Sequence, residues 1–444
     1  FALSHNFEFC YLGLDDTGEC GDNLTWLVDE RGTLRITGTG DMNDYNPYGG
    51  DAPPWGKYYD YIEKIEIESG VTGIGSYAFY YLPLVEDVEI ADSVTAIADY
   101  AFNNCSDLCQ ITIPQSVSHI GREIFRFCDQ LKEINVADNN NSFSSKDGVL
   151  FDKKQETLIK YPSAREKTQY DIPETVYHIS EAAFEGCYNL EKLTIPSNAK
   201  DIGADAIDGC VNLTSIGPLG GDYSIEYGWK NKIPDNLFSW CYNLQKVVIS
   251  EDIKEIGSNA FNGCKNITDL YLSEGLEKIG GSSFAYCEEL NNVIIPKSVT
   301  NIDAWAFSGC DNLKNIAIPE NVIDIGYGAF GNCTSLTEIN VDSENNNYCS
   351  VDGVLFNKNK TVILCYPSNR EGTTYEVPDT VIEIYEGAFC YNNNLKEVVI
   401  PESVTTIKYL VFEGAVNLEK VIIPENVINM EYSIFSNCDK VSIY

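Results

Sequence analysis

A phenylalanine returns every 23 residues along most of this chain, usually within Ala-Phe and usually followed three residues later by cysteine. The marker falls at Phe79, Phe102, Phe125, Phe184, Phe238, Phe261, Phe284, Phe307, Phe330, Phe389, Phe412 and Phe435, with Ile207 in its place once. Nine of the twelve intervals are 23 residues, two are 59 and one is 31. A fixed period of this size predicts a solenoid, in which each repeat is one unit that cannot bury its apolar face alone. The 444 residues therefore need not divide into several compact cores.

The unit from Phe284 shows what each coil contributes. Its apolar positions are Phe284, Cys287, Leu290, Val293, Ile295, Val299 and Ile302. The same offsets recur from Phe307 and from Phe389, where Asn392 replaces the cysteine. Leu-x-x-Val-x-Ile contains a two-residue alternation and predicts a short strand with one face inward. Pro296, Pro319, Pro401 and Pro424 close such strands; proline cannot donate to a ladder and suits a strand exit. The Val-x-x-Ile step turns two more residues inward, often with glycine next, as at Gly257 and Gly280. The three-residue spacing of Ala-Phe-x-x-Cys predicts a single helical or 3₁₀ turn on the opposite face.

Ten of the 16 cysteines share one repeat position: Cys105, Cys128, Cys187, Cys210, Cys241, Cys264, Cys287, Cys310, Cys333 and Cys438. Equivalent side chains on adjacent coils point in parallel, which suits bridging poorly. The pattern predicts a ladder of packed free thiols. Cys10 and Cys20 lie outside the ladder and are candidates to pair.

The formal net charge is -37. Nucleic acid and anionic lipid are polyanions, so such a chain is a poor match for either. No stretch is long and apolar enough to span a bilayer, so no membrane insertion is expected of this segment. Phe1 stands where a methionine would begin a natural chain, so removal of the natural start is expected.

Chemical motifs are scarce. There is no phosphate-binding Gly-x-x-x-x-Gly-Lys, no His-Glu-x-x-His and no Gly-x-Ser-x-Gly. His5, His119 and His178 are scattered and no Cys-x-x-Cys pair exists, so no catalytic residue, metal site or cofactor is expected. Cys109, Cys349, Cys365 and Cys390 fall off the ladder and are the thiols left over for reactivity. The acidic loop from Asp342 to Asp352 does not match an EF-hand and is expected to be solvated.

The best site argument concerns the outward residue between the two inward strand positions. Early coils are polar there, at Glu66, Glu89, Thr112, Asn135 and Thr194. Four successive coils then place Val248, Tyr271, Ile294 and Ala317. Aligned parallel strands would join these four into one apolar stripe, a candidate ligand-binding surface. Strand propensity or cover by a neighbouring element explains the same residues equally well.

Interruptions are themselves regular. Asn140, Asp147 to Phe151 and Tyr161-Pro162 recur 205 positions later as Asn345, Asp352 to Phe356 and Tyr366-Pro367, which indicates a duplicated block. Both 59-residue intervals contain apolar runs around polar turns and predict hairpin insertions near 137–171 and 342–376. The 31-residue interval carries Tyr223, Tyr227 and Trp229 in a glycine-rich loop, the type of irregular segment that often carries binding function. Residues 1–60 break the period; Leu24, Trp26 and Val28 alternate opposite Leu34 and Ile36 around Asp29 to Gly32, a β-hairpin pattern suited to capping an exposed solenoid end.

The Leu-x-x-Ile-x-Ile strand with its Pro-x-x-Val-x-x-Ile-Gly-x-x-Ala-Phe-x-x-Cys continuation resembles the BspA-type leucine-rich repeats of bacterial surface proteins, over roughly residues 60 to 444. The resemblance implies an α/β, strand-rich repeat solenoid: a right-handed leucine-rich repeat superhelix with a parallel β-sheet on one face. Residues 1–60 are then the N-terminal β-hairpin cap and 61–444 the solenoid. It further implies a noncatalytic adhesion scaffold, extracellular or at the cell surface, binding host matrix or other surface proteins as a monomer. A noncatalytic module of a larger extracellular enzyme or multiprotein complex is the alternative. The chain ends at Val441 to Tyr444 within an expected last strand, so further modules are expected in the natural protein.

Overall fold

The computed structural model describes residues 16–196, 199, 201–217, 231–249 and 251–444. Cys10, and Tyr223, Tyr227 and Trp229 of the irregular interval, lie outside the described residues. The chain forms two compact units, one of residues 1–166 with 181–186, the other of residues 167–180 with 187–444.

The first unit opens with an antiparallel meander of β1 (Asp16–Gly21), β2 (Leu24–Val28) and β3 (Thr33–Gly38). Trp26 stands opposite Ile36 and Val28 opposite Leu34, which puts the alternating apolar residues of both strands on one face. From β3 onward the pairing becomes parallel: β3 joins Lys64–Ile67, which joins Asp87–Ile90. The meander thus supplies the ladder edge on which the first coil stacks. Trp55 sits one ring before the periodic phenylalanines, stacked 5.9 Å from Phe79, and its indole N–H donates to the Ala78 carbonyl at 2.9 Å. Phe79 then stacks on Phe102 at 5.2 Å and Phe102 on Phe125 at 6.0 Å.

In the second unit the same logic runs longer. Phe238, Phe261, Phe284, Phe307 and Phe330 form one column with centroids 5.2–6.1 Å apart. Two parallel ladders flank such columns. One holds the three- or four-residue strands, such as Lys246–Val248 on Asp269–Tyr271. The other is made of two-residue strands at the Val-x-x-Ile step and runs unbroken from Lys232–Ile233 through Glu255–Ile256, Lys278–Ile279 and Asn301–Ile302 to Asp324–Ile325. Leucine, valine and isoleucine at most of the periodic inward positions are buried. Burial of this set at about 25 cal/mol per Å² of apolar surface is what stabilises the stack.

The turn around each phenylalanine differs from the expected helical or 3₁₀ turn. The 3₁₀-helix of the described residues is Gly56–Tyr58, outside the repeat. At each phenylalanine marker, and at Ile207, the residue two before and the residue two after has positive φ, for example Tyr77 at 53° and Tyr81 at 58°, or Trp305 at 59° and Gly309 at 72°. Two left-handed residues corner the chain around the ring. The backbone N–H groups alternate between i−3 turn bonds and bonds to the next coil. Tyr80 N–H donates to Tyr77 O at 3.1 Å, while Phe79 N–H donates to Ala101 O at 2.8 Å and Tyr81 N–H to Asn103 O at 2.9 Å. A helix would spend those donors inside its own turn.

None of the ladder cysteines is in a disulfide, and all except half-buried Cys438 are buried. Their thiols also have a polar task. Cys105, Cys128, Cys264, Cys310 and Cys333 each donate to the carbonyl of the phenylalanine 26 residues earlier, at 3.1–3.3 Å. A small apolar side chain with a weak donor meets both demands, packing and satisfaction of a buried carbonyl. Where Asn392 replaces the cysteine, its amide donates to Pro367 O at 3.1 Å and its carbonyl accepts from Asn394 and Leu395 N–H. Cys20 is buried and free.

Each 59-residue interval resolves into a 36-residue coil and a regular 23-residue one, because a tyrosine takes the ring slot. Tyr161 stacks on Phe184 at 5.1 Å and Tyr366 on Phe389 at 5.4 Å. The extra residues form hairpins, Phe143–Lys146 with Val149–Asp152 and Tyr348–Val351 with Val354–Asn357. A buried asparagine anchors each. Asn140 donates to Pro114 and Val117 carbonyls and accepts from Ser142 and Phe143 N–H; Asn345 does the same with Pro319, Val322, Asn347 and Tyr348.

Candidate functional site

Along the strand face, the inward residues of each coil fix which side chain points out. Val247 and Leu270 are buried, so Val248 and Tyr271 stand in register on the outer surface. Val248 is 48% exposed, Tyr271 55% and Ile294 75%; Ala317 is also exposed. Lys246 Nζ lies 5.6 Å from the Tyr271 ring centroid, and Lys246, Asp269, Asn292, Asn315 and Glu338 form a polar rim. Ala317 stands beside Asn340, where the apolar run ends.

The run is not one continuous strand ladder. Residues 291–296 form no strand, although Val293 and Ile295 remain buried. Among the described residues, no backbone hydrogen bond joins 291–295 to Asp269–Tyr271 on one side or to Asn315–Ile318 on the other. On the far ladder the same coil is fully paired, with Asn301–Ile302 bonded on both sides. Side-chain packing and the second ladder therefore hold this coil, while its outer strand segment keeps its backbone groups unpaired and lifts Ile294 into solvent. The alternation of Val293, Ile294 and Ile295 is intact in the sequence; it reports which face a residue takes, and pairing is a separate matter.

Two equivalent outward positions of the first unit, Glu66 and Glu89, are instead engaged in ion pairs. Arg35 Nε bonds the Glu66 carboxylate at 2.6 Å, and Lys64 Nζ reaches Glu66 at 3.1 Å, Asp87 at 3.4 Å and Glu89 at 2.5 Å. The Arg35 hydrogen bond in particular holds the Glu66 carboxyl below its ordinary range.

Burial works against activation of three off-ladder thiols. Burial pushes Cys349 and Cys365 up and Cys390 up to about 12, away from the thiolate that a nucleophile needs. Cys109 is exposed, with its thiol 3.4 Å from Asp107 O. His178 Nδ1 lies 2.6 Å from Asp201, as a cross-coil pair on adjacent two-residue strands. Among the described residues no three His, Cys, Asp or Glu side chains cluster as metal ligands. In the acidic loop the Asp342 carboxylate accepts from Glu344 N–H at 2.9 Å, an ordinary turn.

The repeat, its strand face and its ring column match a known pattern. The family model of the BspA type leucine rich repeat region matches residues 57–153, 161–219, 231–362 and 365–442, in six copies. The chain belongs to the BspA-type leucine-rich repeat family. Members of this repeat class are in general noncatalytic scaffolds for protein–protein interaction. No curated protein matches the chain. Among solved structures, a leucine rich cell surface protein from Faecalibacterium prausnitzii is 25% identical, with a TM-score of 0.53 over 69% of this chain and 95% of that one. A leucine-rich repeat protein from Eubacterium ventriosum is 23% identical, with a TM-score of 0.48 over 73% and 96%. A third, from Bacteroides ovatus, is 22% identical, with a TM-score of 0.44 over 95% and 98%. No helix of the described residues is long and apolar enough to cross a membrane.

Proposed function

We propose that the chain is an adhesion scaffold of a bacterial cell surface or its surroundings, which binds a host or microbial surface protein through the strand face around Val248, Tyr271, Ile294 and Ala317. The observation that carries this reading is the run of exposed apolar side chains on four successive coils, with Ile294 75% exposed beside the 55% exposed Tyr271. An exposed apolar patch with a polar rim is a candidate protein-interaction surface. The cell-surface description of the Faecalibacterium relative supports the location. The fold itself supplies only the scaffold.

Binding is tested by changing Tyr271 and Ile294 to Asp and screening matrix proteins and partner cells. The double variant is expected to lose at least about tenfold in affinity for a ligand of the parent protein, as loss of central apolar anchors does. Unchanged affinity for a confirmed ligand would remove this face from consideration.

A further inference from the structure

Six tyrosines of the first unit form one connected surface. Tyr48 lies 6.1 Å from Tyr77 and 5.9 Å from Tyr80. Tyr77 stacks on Tyr100 at 4.7 Å, and Tyr80 leads through Tyr81 at 6.1 Å to Tyr59 at 5.7 Å. Tyr48 is 77% exposed, and Tyr59 and Tyr81 are exposed as well. Tyr48 comes from the loop closed by Asn46 and Asp51, outside the repeat; the others come from the segment before the first coil and from the turns of the first two. Tyr77, Tyr81 and Tyr100 occupy the left-handed corner positions that flank each phenylalanine marker.

The hydroxyls are partly spent within the protein. Tyr48 and Tyr80 hydroxyls bond each other at 3.0 Å, and Tyr100 donates to Glu123 at 3.1 Å. What the surface offers outward is ring faces. Carboxylates lie among them: Glu123 accepts from the Tyr100 hydroxyl, Asp44 bonds the N–H of Ser76 next to Tyr77, and Asp51 closes the loop that carries Tyr48. The basic side chains at its margin are engaged, Arg122 with Asp99 at 3.3 Å and Lys57 with Asp16 at 2.5 Å. Some exposed rings elsewhere carry a cation of this protein, as Lys246 over Tyr271, Lys265 over Tyr242 and Arg126 over Phe127. Among the described residues none lies over these six.

We propose that this tyrosine surface binds an arginine- or lysine-bearing segment of a partner protein, whose cationic side chains lie on the ring faces between the carboxylates. Electron-rich faces attract cations, and the acidic rim adds to the field. A neutral sugar would gain nothing from the field of the acidic rim, which favours a cation. The proposal is independent of the strand-face reading.

The test uses the full chain with a short arginine-rich peptide and the same peptide carrying neutral citrulline. The arginine peptide is expected to bind and the citrulline peptide to fail. Tyr48→Leu combined with Tyr81→Leu should weaken binding about tenfold, from the loss of two cation–ring contacts. Tyr48→Phe, which keeps the ring face, should retain it. Tyr432→Leu, on another exposed ring, and Tyr271→Asp should leave it unchanged, which separates this site from the strand face. Wild-type affinity in the Leu pair, or equal binding of both peptides, overturns the proposal. Binding of a neutral oligosaccharide that the Leu pair abolishes, with the arginine peptide unaffected, also overturns it and assigns the surface to sugar.

Discussion

The two hairpin coils, one in each unit, share a frame and differ in what fills it. Both keep the buried anchor, Asn140 and Asn345, and both point a lysine, Lys153 and Lys358, at that asparagine's carbonyl. Both place an arginine over the slot tyrosine, Arg165 over Tyr161 at 5.2 Å and Arg370 over Tyr366 at 5.5 Å. At the turns behind them the content changes as a set. In the first copy Arg126 bonds Glu185 at 2.9 Å and Glu123 at 2.6 Å, and buried Lys160 donates to Ala182 O at 2.8 Å. The positions 205 residues later hold Gly331 for Arg126, Cys390 for Glu185, Gly328 for Glu123 and Cys365 for Lys160. Groups that satisfy backbone are retained, because each buried N–H or C=O needs its partner. A charged cluster can be exchanged for small and apolar residues only when all its members go together, because one remaining charge would be left buried alone.

The largest expected effect breaks the first copy. Arg126→Ala leaves Glu185 buried, with Lys160 as its remaining nearby cation. A loss of about 3–5 kcal/mol follows from stranding one partner of a buried pair. Cys390→Ala, at the Glu185-equivalent place, should cost only about 1 kcal/mol for a lost buried sulfur. Denaturant midpoints of the two variants check the contrast; equal losses would show that the ion cluster is no more than packing.

The shared anchor should behave alike in both copies. Asn140→Ala or Asn345→Ala each abandons two carbonyls and two N–H groups, a loss of about 3 kcal/mol at the usual cost of unsatisfied buried groups. Hydrogen exchange at Phe143 and Tyr348, whose amides bond the anchors, should accelerate in the respective variant. A large loss in one copy and none in the other would mean that the hairpins are held by different means.

Much of this was legible in the sequence. The inward set and the hairpin around Asp29 to Gly32 follow from apolar spacing, because burial of a repeated face leaves a repeated pattern, and the 205-residue duplication follows from the recurrence of Asn140, Asp147 to Phe151 and Tyr161. Spacing does not encode where backbone donors go. The turns at Phe79 and its equivalents use left-handed residues as different as Tyr77, Glu123 and Trp305, so no residue type marks them. The unpaired segment at 291–295 keeps an ordinary strand pattern. The six-tyrosine surface depends on the loop carrying Tyr48 folding onto coils outside its own stretch, which no local signal predicts. Tyr161 and Tyr366 were visible as duplicates, but their place in the ring column emerges only once Phe184 and Phe389 are seen against them.

A smaller effect sharpens the second copy. A Cβ added at Gly331 would meet Cys390 Sγ at 2.8 Å and the Trp305 ring at 3.2 Å. Gly331→Ala should therefore cost about 1–2 kcal/mol by overpacking. Combining it with Cys390→Ala should recover part of that loss, since the clash disappears with the sulfur. A positive coupling in the double-mutant cycle is the expected result. Strict additivity would mean that the strain lies against the Trp305 ring and the Gly328 carbonyl, both 3.2 Å from the added Cβ.

The subtlest difference between the copies is their response to pH. Burial raises the Glu185 carboxyl above its ordinary value, outweighing the attraction of Lys160 and Arg126. An acid whose folded-state pKa is raised binds its proton more tightly when folded. It therefore contributes stability that is fully present below the unfolded value and lost as pH rises through the folded one. The short Arg126 contact points the other way, toward a stabilised carboxylate, but desolvation of a nearly enclosed glutamate is the larger cost. Glu185→Gln removes this titration and leaves the rest of the cluster in place. The stability of the parent relative to the variant should fall as pH rises from below the ordinary glutamate range to neutrality. The fall should be about 1.4 kcal/mol for every tenfold by which folding tightens the proton's binding. Cys390→Ala should show no such trend over the same range, because its thiol titrates only near about 12. A parent that instead gains stability over Glu185→Gln toward neutral pH would show that the ion pairs, and not burial, govern this carboxyl.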